Sequence, residues 1–140
     1  MVRPHSRSFR YSEQDLDEMK KTINLCKEHS FDGVVFGCLD KNMELDIKKI
    51  KYLTDLSKPL NVIIHKAIDL TSSPLNSLKQ LLEIKQINGV LSSGGADNAE
   101  HGLDNLKKMI AISPPEFEII SAGKITNENL DYLHEKIQGK

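Results

Sequence analysis

Two residues four positions apart, His65 and Asp69, are suited to acid–base chemistry. A carboxylate that holds an imidazole in one tautomer is a common arrangement around working histidines. We therefore interpret His65 and Asp69 as a candidate catalytic pair in which His65 acts as a general acid or base. The same residues also fit a structural histidine held by hydrogen bonds and an aspartate that caps a turn.

A run of small residues further along the chain is suited to binding an anion. It comprises Ser92, Ser93, Gly94 and Gly95. Backbone N–H groups in such a turn, at the start of a helix, can hold an oxyanion or a phosphate. The alternative is a tight turn that needs glycine for its backbone angles.

Two basic residues are further candidate ligand-binding positions. Lys66 follows His65 directly, and Arg3 follows a short N-terminal stretch that we interpret as a remnant strand. If a strand continues through Lys66, its side chain points away from the face of His65, because side chains alternate along a strand. If the chain leaves the strand at that point, Lys66 is drawn into the following loop.

Cys38 is the candidate metal ligand. It comes just after a predicted strand, and Cu(I) prefers thiolate or thioether ligands. One cysteine does not make a copper site, and the spacing between Cys26 and Cys38 fits no zinc motif. A buried, unreactive thiol is the alternative interpretation.

Four short apolar runs must position these residues. The runs begin at residues 33, 61, 89 and 118 and end in small or polar residues at 37, 65, 93 and 122, with segments of helical spacing between them. This rhythm is typical of repeated βα units, whose chemistry gathers at the carboxyl ends of the strands. The runs are continuously apolar rather than alternating, which predicts a parallel sheet covered on both faces.

Helix start signals lie between the runs. Ser12 with Asp15 predicts a capped first helix, and Ser73 predicts the start of the third. We expect Asp97 or Asn98 to cap the fourth helix, which follows the Ser–Gly–Gly turn. The whole pattern predicts an α/β fold.

The length of the chain limits how far such a fold can extend. The 140 residues fit one domain, spanning residues 1–140. Alternating βα units form either a closed eightfold barrel or an open doubly wound sheet. Eight units of this length need roughly 225 residues, near the usual barrel length of about 250. A barrel built from this chain is therefore incomplete, with about four to five of the eight units.

Composition excludes several classes of partner. The net charge of −1, with 39% apolar and 28% charged residues, gives no field that favours nucleic acid or a membrane surface. No apolar run in the sequence reaches the ~20 residues of a membrane span, and the residues after Met1 do not form a signal peptide. Two cysteines without a secretion signal predict reduced thiols and a cytoplasmic protein.

Four groups of residues, taken in order, resemble motifs of the CutC family of copper homeostasis proteins. They are MVRP at 1–4 followed by FRYS at 9–12, DGVVFG at 32–37, IHKAID at 64–69 and LSSGG at 91–95. The resemblance extends over essentially the whole chain. It implies a TIM-type barrel, of which this chain supplies the end of the third strand through the seventh unit.

The resemblance also implies a function. It predicts a cytosolic copper homeostasis protein that binds copper as Cu(I), and an additional presence in the nucleus stays open. The chain departs from the family pattern at Lys66, where the family has an arginine, so the charge is kept but the bidentate guanidinium is lost. It departs again at Ala122 and Lys124, where the family has glycines around the residue at 123.

Two other functions stay open. Strand-end His65 and Asp69, with the Ser–Gly–Gly turn, also fit a TIM-barrel enzyme, or a degenerate relative of one, that acts on a small anionic metabolite. The third is a non-catalytic fragment, because an unclosed barrel exposes two sheet edges that are prone to pair with other chains. Such a chain forms a homo-oligomer or covers its edges with its own termini.

Overall fold

A parallel sheet of four strands forms the centre of the molecule in a computed structural model that describes residues 1–137. Strands that are neighbours in the chain are neighbours in the sheet. The strands are β1 (Gly33–Phe36), β2 (Asn61–Ile64), β3 (Gly89–Ser92) and β4 (Glu118–Ser121). All four predicted strands are confirmed, and each ends one residue before its predicted end.

Five α-helices alternate with the strands, which confirms the α/β class. They are α1 (Glu13–Glu28), α2 (Ile47–Ser57), α3 (Pro74–Leu82), α4 (Leu103–Ile112) and α5 (Leu130–Ile137). A short 3₁₀ helix, Lys66–Leu70, follows β2 directly. The open sheet with its helices fits a barrel that is incomplete.

The helices cover one face of the sheet. Val34, Val62, Ile64 and Val90 alternate along the strands and are at most 3% exposed, in one cluster with apolar residues of the helices. The opposite face carries the half-buried side chains of Val35, Ile63 and Leu91. The prediction that both faces are covered is therefore wrong for this second face among the residues that the structure describes.

The helix start signals gave mixed results. Ser12 and Asp15 form the predicted reciprocal cap of α1, and Ser73 caps α3. The predicted cap of α4 is wrong, because that helix begins only at Leu103. Asn98 instead caps an earlier turn, where its side-chain oxygen accepts the N–H of His101 at 2.9 Å.

Residues 1–11, here called the N-terminal strap, cross the edge of β1. The Val2 N–H donates to the carbonyl of Val35 at 2.7 Å, and the Leu39 N–H donates to the carbonyl of Phe9 at 2.9 Å. The Lys49 ammonium group donates to the carbonyl of Tyr11 at 2.8 Å. The prediction that a terminus covers a sheet edge is confirmed at β1.

Candidate functional site

The chain leaves the sheet directly after Ile64 and enters the first loop of the carboxyl rim. This name is used here for the loops that follow β2, β3 and β4, together with Arg3 and Phe9 of the strap, which lie beside His65. His65 is the N-cap of the 3₁₀ helix, so that helix starts at Lys66. Its turns carry Lys66 and Asp69 towards the turn after β3. The alternative in which Lys66 is drawn into the loop is therefore confirmed.

The Asp69 carboxylate is the centre of the rim. The Ser92 hydroxyl donates to it at 2.6 Å, and the backbone N–H groups of Ser93 and Gly95 each donate to it at 2.9 Å. The Lys66 ammonium lies 2.9 Å from the same carboxylate, whose side chain is only 6% exposed. One buried charge thus ties together two loops of the sheet.

The hydrogen bonds set the ionisation of Asp69. Burial acts to raise the pKa of this carboxyl group, but hydrogen bonds from Ser92, Lys66 and the amides of the turn outweigh it and lower the pKa. Asp69 is therefore an anion at neutral pH. Its negative charge offsets the positive charge of Lys66, whose side chain remains 38% exposed.

The turn after β3 does hold an anion, and that anion is the side chain of Asp69. The amides of Ser93 and Gly95, predicted to bind a ligand oxyanion, donate to this internal carboxylate. Gly94 and Gly95 adopt left-handed backbone angles, with φ of 72° and 79°, so the turn also needs its glycines. The N–H of Gly94 donates to the Ser92 hydroxyl at 2.9 Å.

His65 and Asp69 do not form the predicted pair: in the described part of the chain, no hydrogen bond joins them. The Ala67 N–H donates to His65 Nδ1 at 3.2 Å. Burial, with a smaller contribution from the charge of Arg3, lowers the pKa of His65 to about 4. The two side chains separate because Asp69 turns towards β3, whereas the imidazole packs against Gly37 of the loop after β1.

Arg3 lies on the His65 side of the rim. Its guanidinium carbon is 4.5 Å from the centre of the Phe9 ring, and that ring lies 4.5 Å from the imidazole of His65. The rim therefore has two neighbouring parts. One part holds Arg3, Phe9 and His65, and the other holds Lys66, Asp69 and the Ser–Gly–Gly turn.

Sequence reasoning missed Phe9, and it noted Gly123 only as part of a loop that departs from the family pattern. Phe9 lies more than fifty positions from His65, and no local pattern predicts that it contacts that ring. Gly123 follows β4, and a Cβ there would lie 3.3 Å from the Lys66 ammonium nitrogen. Its φ of 109° is a left-handed angle, and a glycine between two small or polar residues was the available signal.

Cys38 follows β1 as a buried thiol. Its side chain is fully buried, and burial, together with the nearby negative charge of Asp46, raises the pKa of the thiol to about 12. Cys26 is half-buried on α1. Within residues 1–137, no group of three or more His, Cys, Asp and Glu side chains is arranged to hold a metal ion. The donor set described here therefore does not fit a resident copper centre.

None of the helices in residues 1–137 combines the length and the apolar character that crossing a membrane requires.

Comparison with known proteins identifies relatives over the whole chain. The CutC family profile matches residues 1–138. A protein named as CutC from Parabacteroides distasonis is 29% identical over 140 residues, and one from Yersinia pestis is 36% identical over 130 residues. These matches cover 100% and 91% of this chain but 57% and 51% of the relatives, so the chain spans little more than half of their length.

A solved structure shares the fold. It is that of a candidate copper homeostasis protein CutC from Streptococcus agalactiae, with a TM-score of 0.90 over 99% of this chain and 68% of the other. The two sequences are 24% identical, so this likeness concerns the fold. The family profile matches nearly every residue, and the protein therefore belongs to the CutC family.

Proposed function

We propose that this chain serves copper homeostasis in the cytoplasm. The support is its membership of the CutC family, together with the copper homeostasis role given in the name of the streptococcal protein. Because the chain spans little more than half of its curated relatives, the role of the whole protein is carried over as a proposal. In this role copper is a cargo ion.

The chemistry of the thiols sets how copper is handled. Cu(I) binds thiolates, and the raised pKa of Cys38 means that copper must compete with a tightly held proton there. Cys26 is the more accessible thiol, because it is only half-buried on α1. We therefore propose weak, exchangeable binding through these thiols rather than a resident site.

A titration tests the copper proposal. Cu(I) is added under reducing conditions in competition with a coloured chelator, to the chain and to Cys26→Ser, Cys38→Ser and the double variant. The expected result is weak binding that falls in a single variant and disappears in the double variant. Equal binding by the chain and the double variant contradicts the role of the thiols.

The carboxyl rim favours a second function, which is to bind a small anionic metabolite. In an enzyme, the same rim would also convert that metabolite. The observation that carries it is the presence of two basic side chains beside the buried His65: Lys66, which is 38% exposed although Asp69 offsets its charge, and the exposed Arg3. In barrels of βα units the carboxyl ends of the strands form the binding face. Lys66 is anchored by Asp69 and Ser93, so its ammonium is held in place for a ligand.

Calorimetry with inorganic phosphate and with citrate tests this second function. Lys66→Gln is expected to weaken binding at least fivefold, because it removes a positive charge from the rim. Lys58→Gln is the matched control. Lys58 follows directly after α2, pairs with the exposed Asp55 of that helix and lies outside the rim. Absence of binding by the unmodified chain, or equal loss in both variants, contradicts the rim as an anion site.

A further inference from the structure

Two unpartnered polar atoms lie in and beneath the N-terminal strap. Within residues 1–137, the buried side-chain polar atoms without a hydrogen-bond partner include His5 Nδ1 of the strap and His65 Nε2 beneath it. The hydroxyl of Tyr11, also in the strap, interacts with the side chain of Arg3. Buried polar groups are normally paired, so the unpaired atom of His65 marks a place that accepts a polar partner.

The hydrogen bond from Ala67 fixes what His65 can offer. Because the Ala67 N–H donates to Nδ1, that nitrogen is the acceptor of the ring. A neutral imidazole then carries its proton on Nε2. Burial lowers the pKa of His65 to about 4, so the ring is neutral at physiological pH. The unpartnered Nε2 is therefore an N–H donor without an acceptor.

Arg3 adds charge beside this donor. Its guanidinium lies over Phe9, whose ring contacts His65 in a tilted arrangement, and its charge acts on the pKa of both His65 and Tyr11. A guanidinium has five N–H donors, and Arg3 gives one to the carbonyl of Ser6 at 3.1 Å. Its side chain also interacts with the Tyr11 hydroxyl, and the remaining donors are available to a ligand.

We infer that the Nε2–H of His65 and the guanidinium of Arg3 together bind one oxyanion group, a phosphate or a carboxylate, of a small ligand. This inference rests on the anion-binding function proposed above and extends it from Lys66 to the underside of the strap. A set of donors suits the lone pairs of an anion. It does not suit a metal cation, because a protonated nitrogen has no lone pair for the metal. His65 is thus a neutral hydrogen-bond donor rather than a general base.

Entry to this position requires the strap to move. His65 is only 3% exposed beneath Phe9 and the strap. The strap is anchored to β1 and to the loop that follows it by the hydrogen bonds of Val2 and Leu39. Binding therefore includes a local opening of residues 1–11, followed by closure over the oxyanion.

Side-chain NMR tests the inference on the ¹⁵N-labelled chain at pH 7. Long-range ¹H–¹⁵N correlations of His65 are recorded while inorganic phosphate, and separately acetate, is added. The expected starting state is a protonated Nε2 and an unprotonated Nδ1. Phosphate, acetate or both are expected to shift the Nε2 and its proton, and the more effective anion identifies the ligand group.

Two arginine variants complete the test. Arg3→Gln is expected to weaken anion binding at least fivefold while the His65 tautomer stays the same, and Arg7→Gln, at an exposed position of the same strap, is expected to have little effect. If Lys66→Gln weakens binding but the His65 signals and Arg3→Gln do not respond, the rim site stands and this inference is overturned. The inference is also overturned if the proton is found on Nδ1. It is overturned as well if the Nε2–H signal changes only through exchange with water and not when an anion is added. If neither anion binds, this inference and the rim site fail together.

Discussion

The Asp69 carboxylate accepts the backbone N–H of Ser93 at 2.9 Å, and this bond joins the loop after β2 to the turn after β3. Two strands that are neighbours in the sheet are thereby fixed to each other at their carboxyl ends. The anion that the turn was expected to bind is supplied by the protein itself. Asp69 therefore has a positioning role, and it leaves Lys66 as the partly exposed charge of this part of the rim.

Replacing Asp69 tests this positioning role. Asp69→Asn removes the buried charge and leaves the donors of Ser92, Ser93 and Gly95 poorly matched, so the free energy of unfolding should fall by about 3 kcal/mol. Asp55→Asn is the control, because Asp55 is a 66% exposed partner of Lys58 and should cost less than about 0.5 kcal/mol. Urea unfolding measures both. Similar costs for the two variants would show that the Asp69 network does not stabilise the fold.

The lowered pKa of Asp69 predicts how this contribution depends on pH. The stabilisation is present above the ordinary carboxyl pKa of 3.8 and is lost as pH falls from that value through the lower pKa of the folded state. The difference in unfolding free energy between the unmodified chain and Asp69→Asn should therefore shrink below about pH 4. A difference that stays constant between pH 5 and pH 2 argues against a linked proton at Asp69.

His65 predicts a second dependence at higher pH. The pKa of His65 is about 4 in the folded state, against an ordinary value of 6.5. Between these two pH values the unfolded chain therefore binds a proton at His65 that the folded chain does not bind. Stability is therefore full above pH 6.5 and falls by up to about 3 kcal/mol as pH drops to 4. His65→Gln should flatten the curve of unfolding free energy across this range. His29→Gln, at an exposed position, should leave the curve unchanged.

Gly37 makes room for the His65 ring. A Cβ at residue 37 would lie 2.6 Å from Cε1 of that ring, so Gly37→Ala should reduce the free energy of unfolding by about 2 kcal/mol. In a His65→Ala background the clash is absent, and the cost should fall below about 1 kcal/mol. A double-mutant cycle by urea unfolding measures the coupling. If Gly37→Ala lowers the free energy of unfolding equally in the two backgrounds, the imidazole of His65 does not contact residue 37.

Much of the fold could be predicted from sequence because its signals are local. Each strand is a short apolar run, and the caps at Ser12 and Ser73 depend on residues within three positions. The cap of α4 could not be predicted in this way, because the chain inserts an extra turn around Asn98 before Leu103. Nothing in the spacing of the polar residues distinguishes the two turns.

The partners within the rim depend on contacts between distant parts of the chain. Asp69 is four residues from His65 but bonds to Ser93, because the 3₁₀ helix rotates its side chain towards β3. Phe9 reaches His65 only because the strap crosses the edge of β1. The sequence identified most of the rim residues, whereas their pairing is decided by the packing of separate loops.

The central claim is that the loops after β2, β3 and β4 form one anion-binding rim, and mapping backbone amides by NMR during a phosphate titration tests it most directly. The predicted result is saturable shifts at the carboxyl ends, for Ala67, Ser93 and Gly123, with little change at the opposite ends, for Asn61 and Gly89. Shifts confined to the amino ends of the strands, or no saturable shift anywhere, would contradict the claim.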